Sequence, residues 1–150
     1  MVRKVYIDNS VIGGKFDPEF EKDSLKLFKE FDMGLFQPVI STITEEEISG
    51  APNEVIDFFR KLKQESDIIS PTDEAIELAK EYMRIGKFTK KMFVDTLHIA
   101  TATVYKIDII TSWNFKHIVN LNRIQIYNSV NVKYGYPIVE IRTPKEIIHG

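Results

Sequence analysis

The sequence predicts an α/β domain with a mostly parallel central sheet and helices on both faces. Three observations predict it. Short apolar runs of the kind that form buried strands alternate with stretches whose apolar residues recur at helical spacing, the pattern of strand, helix and strand units. The chain has 150 residues, 43% of them hydrophobic, which is the length and core material of one domain over residues 1–150. Acidic residues also fall just after strands or in the first turns of helices, where an α/β sheet collects ligands.

The elements follow in order. Val5-Tyr6-Ile7 is a strand that stops at Asp8 and passes through Asn9-Ser10 into a loop at Gly13-Gly14. Phe20, Ser24, Leu27 and Phe31, widened by Leu25 and Phe28, mark the first helix, and Gly34 stands at its C-cap. Leu35 to Ser41 is the second strand. Pro38 has no N–H for a ladder, so pairing begins after it or an edge is exposed there. Thr42 to Ile48 opens an acid-rich helix, Gly50-Ala51-Pro52 breaks it, and Val55, Phe58, Phe59 and Leu62 make a new helical stripe.

Asp67-Ile68-Ile69 is the third strand, followed by a helix start in which Ser70 or Thr72 is the N-cap. That helix buries Ala75, Leu78, Ala79 and Tyr82 and ends at Gly86. The basic and aromatic lead Lys87 to Phe93 enters a compact helix whose Leu97, Ala100, Thr101 and Val104 face the sheet, with Asp95 in its first turn. Ile107 to Thr111 is the fourth strand. Between Leu121 and Tyr134, Ile124 and Ile126 alternate as in a strand, while Ile126, Val130 and Tyr134 with Gly135 behind them fit a helix and its cap; we read a helix. Ile138 to Ile141 is the last strand, and Thr143-Pro144-Lys145-Glu146 is a capping box that starts a short terminal helix.

Composition narrows the function. Lys and Arg number 20 against 22 Asp and Glu, a net charge of −2, so bulk charge attracts no polyanion and such a partner needs a local patch or a metal. The absence of cysteine excludes disulfides, thiolate zinc sites and cysteine nucleophiles, and suits a reducing interior. The apolar run behind Met1-Val2-Arg3-Lys4 stops at Asp8, too soon for a signal peptide or a membrane span, and we expect a cytoplasmic protein.

Crossover helices run antiparallel to the strands, so Asp8, Glu45 to Glu47, Asp95 and Asn114 all come to one sheet edge. Carboxylates drawn together there repel by about 4 kcal/mol per close pair at an effective dielectric near 20. A divalent cation reverses that sign, and an oxygen-rich site with room for phosphate and water suits Mg2+ or Mn2+.

These residues also carry a resemblance. Val5-Tyr6-Ile7-Asp8-Asn9-Ser10, Ser41 followed by Glu47-Ile48, the helix Val94-Asp95-Thr96-Leu97-His98-Ile99-Ala100-Thr101-Ala102, the run Ile110-Thr111-Ser112-Trp113-Asn114-Phe115-Lys116-His117 and the closing Thr143-Pro144-Lys145-Glu146 together resemble the PIN-domain proteins, nearest to the VapC-type toxin ribonucleases and a subgroup with a Trp-Asn-Phe-Lys-His motif. The match follows the family's order along nearly the whole chain. It implies a PIN-like three-layer fold, a metal-dependent endoribonuclease, Asp8, Glu47 and Asp95 as metal ligands, frequent homodimers and a small antitoxin partner. Glu47 is chosen over Glu45 and Glu46 because the family's acid directly precedes an aliphatic residue. Many relatives carry a further carboxylate after the fourth strand, where this chain has Asn114, whose carbonyl can still coordinate a hard cation.

Hydrolysis of an RNA phosphodiester by metal-activated water then needs no side-chain nucleophile. Ser10 positions Asp8 or merely closes the turn. His98 shares a helix face with Asp95, and a lone histidine there is more often a packing residue than a general base. Thr111, Lys90, Lys91 and Lys116, with Lys87, are candidates for supporting or phosphate contacts, against the reading that a basic run is a solvated face. Trp113 and Phe115 stack on bases or belong to the core. The competing function is a PIN-like module that binds RNA or a protein without cutting. A phosphoacceptor using Asp8 lacks the paired acid it would need, since Asn9-Ser10 follow.

Overall fold

A computed structural model describes residues 2–149 and contains a five-stranded, wholly parallel sheet in the order β3-β2-β1-β4-β5. The strands are β1 (Arg3–Ile7), β2 (Phe36–Ser41), β3 (Asp67–Ile69), β4 (Ile109–Thr111) and β5 (Glu140–Arg142). The helices are α1 (Asn9–Gly14), α2 (Glu21–Asp32), α3 (Thr42–Ile48), α4 (Asn53–Glu65), α5 (Asp73–Gly86), α6 (Phe93–Val104), α7 (Leu121–Lys133) and α8 (Pro144–Ile147), with a 3-10 turn at Lys90–Met92 leading into α6.

The strand period of two builds the three layers. Val5 and Ile7 enter one core with Val11, Leu27, Phe28, Phe59 and Trp113, while Tyr6 between them enters the other with Leu78, Tyr82, Ile99 and Tyr127. Ile40 and Val39, then Ile109 and Ile110, divide in the same way. Helices α1, α2 and α4 cover the first face and α5, α6 and α7 the second. Burial on both faces is why these strands read as unbroken apolar runs.

Four local readings are refined. The expected loop at Gly13-Gly14 is the end of α1, where Asp8 is the N-cap and Val11 and Ile12 are buried. Gly14 is required there, because a Cβ would stand 2.6 Å from Ser24 Oγ and 2.8 Å from Trp113 Nε1. Pro38 lies inside β2 opposite Val5, and the ladder to β3 starts only at Val39, so the missing N–H falls where pairing is incomplete. The fourth strand starts at Ile109 rather than Ile107, after a turn in which Lys106 takes φ 56°.

The fifth strand starts at Glu140 rather than Ile138, and α7 explains the delay. Asn128 binds both backbone groups of Val139, accepting from its N–H at 2.8 Å and donating to its C=O at 3.2 Å, so a side chain stands where a strand neighbour would. The ambiguous stretch is helical, capped by Asn120. Its apolar stripe is broken in sequence because a buried Asn131 accepts the Tyr82 hydroxyl inside the core.

Candidate active site

Asp8 is delivered by β1 to the carboxyl edge of the sheet and is only 3% exposed. Its Oδ1 accepts from Ser10 Oγ at 2.6 Å and from the Val11 N–H at 3.3 Å, and its Oδ2 accepts from Ser112 Oγ at 2.6 Å. Ser10 does more than close a turn, since it also accepts the Trp113 N–H at 2.9 Å and so ties the end of β1 to the segment after β4. Burial raises the Asp8 pKa, against the pull of His98 and the hydrogen bonds from both serines and Val11. Ser112 was not foreseen as a site residue. It precedes the Trp-Asn motif, and only the pairing of β4 with β1 brings it to Asp8.

Ser41 caps α3 through the Ile43 N–H at 3.0 Å, and this short helix separates the three glutamates. Glu45 pairs with Lys63 at 2.8 Å, Glu46 is exposed, and Glu47 turns toward His98, with Oε1 at 2.7 Å from Nε2. His98 is 1% exposed and holds the Tyr6 hydroxyl at 2.5 Å on its other nitrogen. It is therefore buried and fully bonded, as a packing histidine would be, yet one of its partners is a site acid. Tyr6 is the second residue that sequence reasoning passed over, because its position in a buried strand hid a polar function.

Asp95 opens α6. Burial raises its pKa; His117 and His98 draw it down, while Asp8 and Glu47 push it up, so the three acids share one electrostatic neighbourhood. Beside it lies a cleft of about 300 Å³ lined by Lys87, Phe88, Lys91, Lys116, His117 and Arg123. Gly86 lets the Phe88 ring fold back, since a Cβ would come within 2.3 Å of it, and the Arg123 guanidinium stacks 4.3 Å over that ring. The His117 pKa is lowered by burial, against Asp95, and further by Lys116, Arg123 and Lys91, which marks the cleft as a local positive field. Lys90 faces solvent on the 3-10 turn.

The remaining candidates are placed otherwise. Asn114 Oδ1 accepts the N–H groups of Lys116 at 3.2 Å and His117 at 2.9 Å, so its carbonyl closes the turn after β4. Thr111 is fully buried and its hydroxyl finds no partner among the described residues. Trp113 belongs to the core, stacked on Phe20 with centroids 4.5 Å apart and donating to Ser24 at 2.8 Å, whereas Phe115 is 51% exposed.

Among the described residues no three His, Asp or Glu side chains form a ready cation-binding group. The donor chemistry nevertheless fits a hard divalent cation. Asp8 and Asp95 are oxygen donors whose charge is poorly compensated, and the bond to His98 engages only one oxygen of Glu47.

No family model matches the sequence, and no curated protein matches it significantly. Solved structures do match in fold. The chain is similar to FitAcB from Neisseria gonorrhoeae, with a TM-score of 0.60 and 10% identity over 95% of this chain and 99% of that one. It is similar to VapBC2 from Rickettsia felis bound to a DNA fragment from their promoter, at 0.58 and 10% over 93% and 98%. A toxin-antitoxin complex from Klebsiella pneumoniae gives 0.56 and 17% over 75% and 88%. Among the described residues no helix is long and apolar enough to cross a membrane.

Proposed function

We propose that this chain, which has the PIN-like fold, is a metal-dependent endoribonuclease acting in the cytoplasm as the toxin of a toxin-antitoxin pair. The observation that carries the reading is buried Asp8 at the carboxyl edge of the sheet, within electrostatic reach of Asp95, which also feels Glu47, next to a cationic cleft. Its fold neighbours include toxin-antitoxin complexes, which supports a small antitoxin partner, and a homodimer goes with that reading.

Asp8, Asp95 and Glu47 would hold Mg2+ or Mn2+, and Asn114, whose carbonyl is already bonded, adds at most a water contact. When bound, the cation supplies Lewis acidity and charge neutralisation at a phosphodiester. The chain's own residues orient and hold the rest. Ser10 and Ser112 fix the Asp8 carboxylate, and Lys87, Lys91, Lys116 and Arg123 bind the RNA backbone and bring its phosphates to the acids.

A second reading has an observation of its own. Glu47 is engaged by His98 and Asn114 by its turn, so the acids resemble those of a module that binds RNA or a protein without cutting. RNA cleavage measured against Mn2+ concentration for wild type and Asp8→Asn decides between them. Cleavage by wild type well above Asp8→Asn is the expected result, together with growth arrest on expression alone. Equal background in both at every metal concentration overturns the nuclease reading.

A further inference from the structure

We infer that His98 is a positioning residue whose Nε2–H, fixed by the Tyr6 hydroxyl, aims the Glu47 carboxylate at the site. The inference rests on the metal-site reading above and deepens it. His98 is sealed in the core, with both ring nitrogens in short hydrogen bonds: Nδ1 to Tyr6 at 2.5 Å and Nε2 to Glu47 at 2.7 Å. An ionised carboxylate can only accept, so the proton between His98 and Glu47 belongs to Nε2. A neutral ring then presents a bare Nδ1, which must accept from Tyr6. Tyr6 is able to donate through its phenolic O–H. The ring also meets Tyr6 edge-on, 5.6 Å between centroids at 68°.

The placement of the three residues gives the relay its purpose. Tyr6 lies two residues before Asp8 on β1, and His98 lies one helical turn after Asp95 on α6. Glu47 rides on α3, a helix of seven residues near the sheet edge. One line of hydrogen bonds therefore references Glu47 to the two elements that carry the other acids. The bond takes Oε1 and leaves Oε2 for a cation, the arrangement by which an outer histidine orients a ligating carboxylate.

The test reads the residues directly. Long-range 15N–1H correlation spectra of wild type should show His98 as the Nε2–H tautomer, and Tyr6→Phe, which removes the donor to Nδ1, should shift the Nδ1 resonance while the proton stays on Nε2. Mn2+ binding, read by electron paramagnetic resonance without RNA, should weaken about 10–100-fold in His98→Ala, and His98→Gln, which keeps a donor near Nε2, should recover most of it. The Glu47 Cδ resonance should move in His98→Ala and return toward the wild-type position in His98→Gln. A proton on Nδ1 overturns the inference. So does His98→Ala with wild-type Mn2+ binding and an unmoved Glu47 Cδ, in a background where Asp8→Asn abolishes binding. If wild type itself binds no Mn2+, the metal-site reading fails, and the tautomer and the Glu47 Cδ response still decide whether His98 positions Glu47.

Discussion

Ser112, at the end of β4, donates its hydroxyl to Asp8, at the end of β1, over 2.6 Å. The same oxygen accepts the Asn114 N–H at 2.9 Å, so Ser112 fixes the acid and the following turn together. Ser112→Ala leaves a buried carboxylate oxygen without that donor and an amide without its acceptor. The expected loss is about 1–3 kcal/mol, read from the urea midpoint, with a fall in RNA cleavage. An unchanged midpoint would show that water replaces the hydroxyl at no cost.

Asp8 and Asp95 give a pH dependence with a definite sign. Both pKa values are raised in the fold, so the folded chain binds more protons than the unfolded one between the ordinary carboxylate range and the raised values. Metal-free stability therefore falls as pH rises through that window. Asp95→Asn should soften the fall and raise the metal-free melting temperature by a few degrees at neutral pH. Mn2+ should raise the wild-type melting temperature with occupancy and do much less for the variant. An equal metal response in both would place the ion elsewhere.

Asn114 separates turn closure from coordination. Because its Oδ1 serves two backbone N–H groups, Asn114→Ala should lower stability by about 0.5–2 kcal/mol, as loss of a capping side chain does, while cleavage per folded molecule persists. Asn114→Asp keeps the acceptor, adds a charge at the edge, and should lower the Mn2+ concentration for half-maximal cleavage. Complete loss of cleavage in a folded Asn114→Ala protein would return the carbonyl to the metal.

The cationic cleft has a salt signature. Each phosphate contact to single-stranded RNA contributes about 0.7 to the slope of log affinity against log salt. Lys91→Ala and Lys116→Ala should each reduce the slope by about that amount and weaken binding to all sequences alike, in filter binding with a cleavage-dead Asp8→Asn background. A slope untouched by both would move the RNA path off this face.

Much of the fold was legible because its signals are local. Asp8 ends an apolar run, Thr143 and Glu146 form the capping box that their spacing announces, and the bounds of β3 follow from Asp67-Ile68-Ile69 alone. Side chains that substitute for backbone partners were not legible. Asn128 delays β5 by binding Val139, and nothing near either residue in sequence says so. The site divides in the same way. The edge on which the acids gather follows from parallel topology, but Ser112 and Tyr6 act through partners that lie more than ninety positions away, Asp8 for the first and His98 for the second.

β1 occupies the middle of the sheet, with Val5 facing Pro38 on one side and Ile109 on the other. β1 is therefore bordered on its far side by β4, a strand synthesised much later. No nascent fragment that ends before Ser112 can hold Asp8 in its bonded state. Val5, Tyr6 and Ile7 meanwhile remain an open apolar ribbon with unpaired backbone on one edge, which makes this the segment most in need of shielding while the chain is being synthesised.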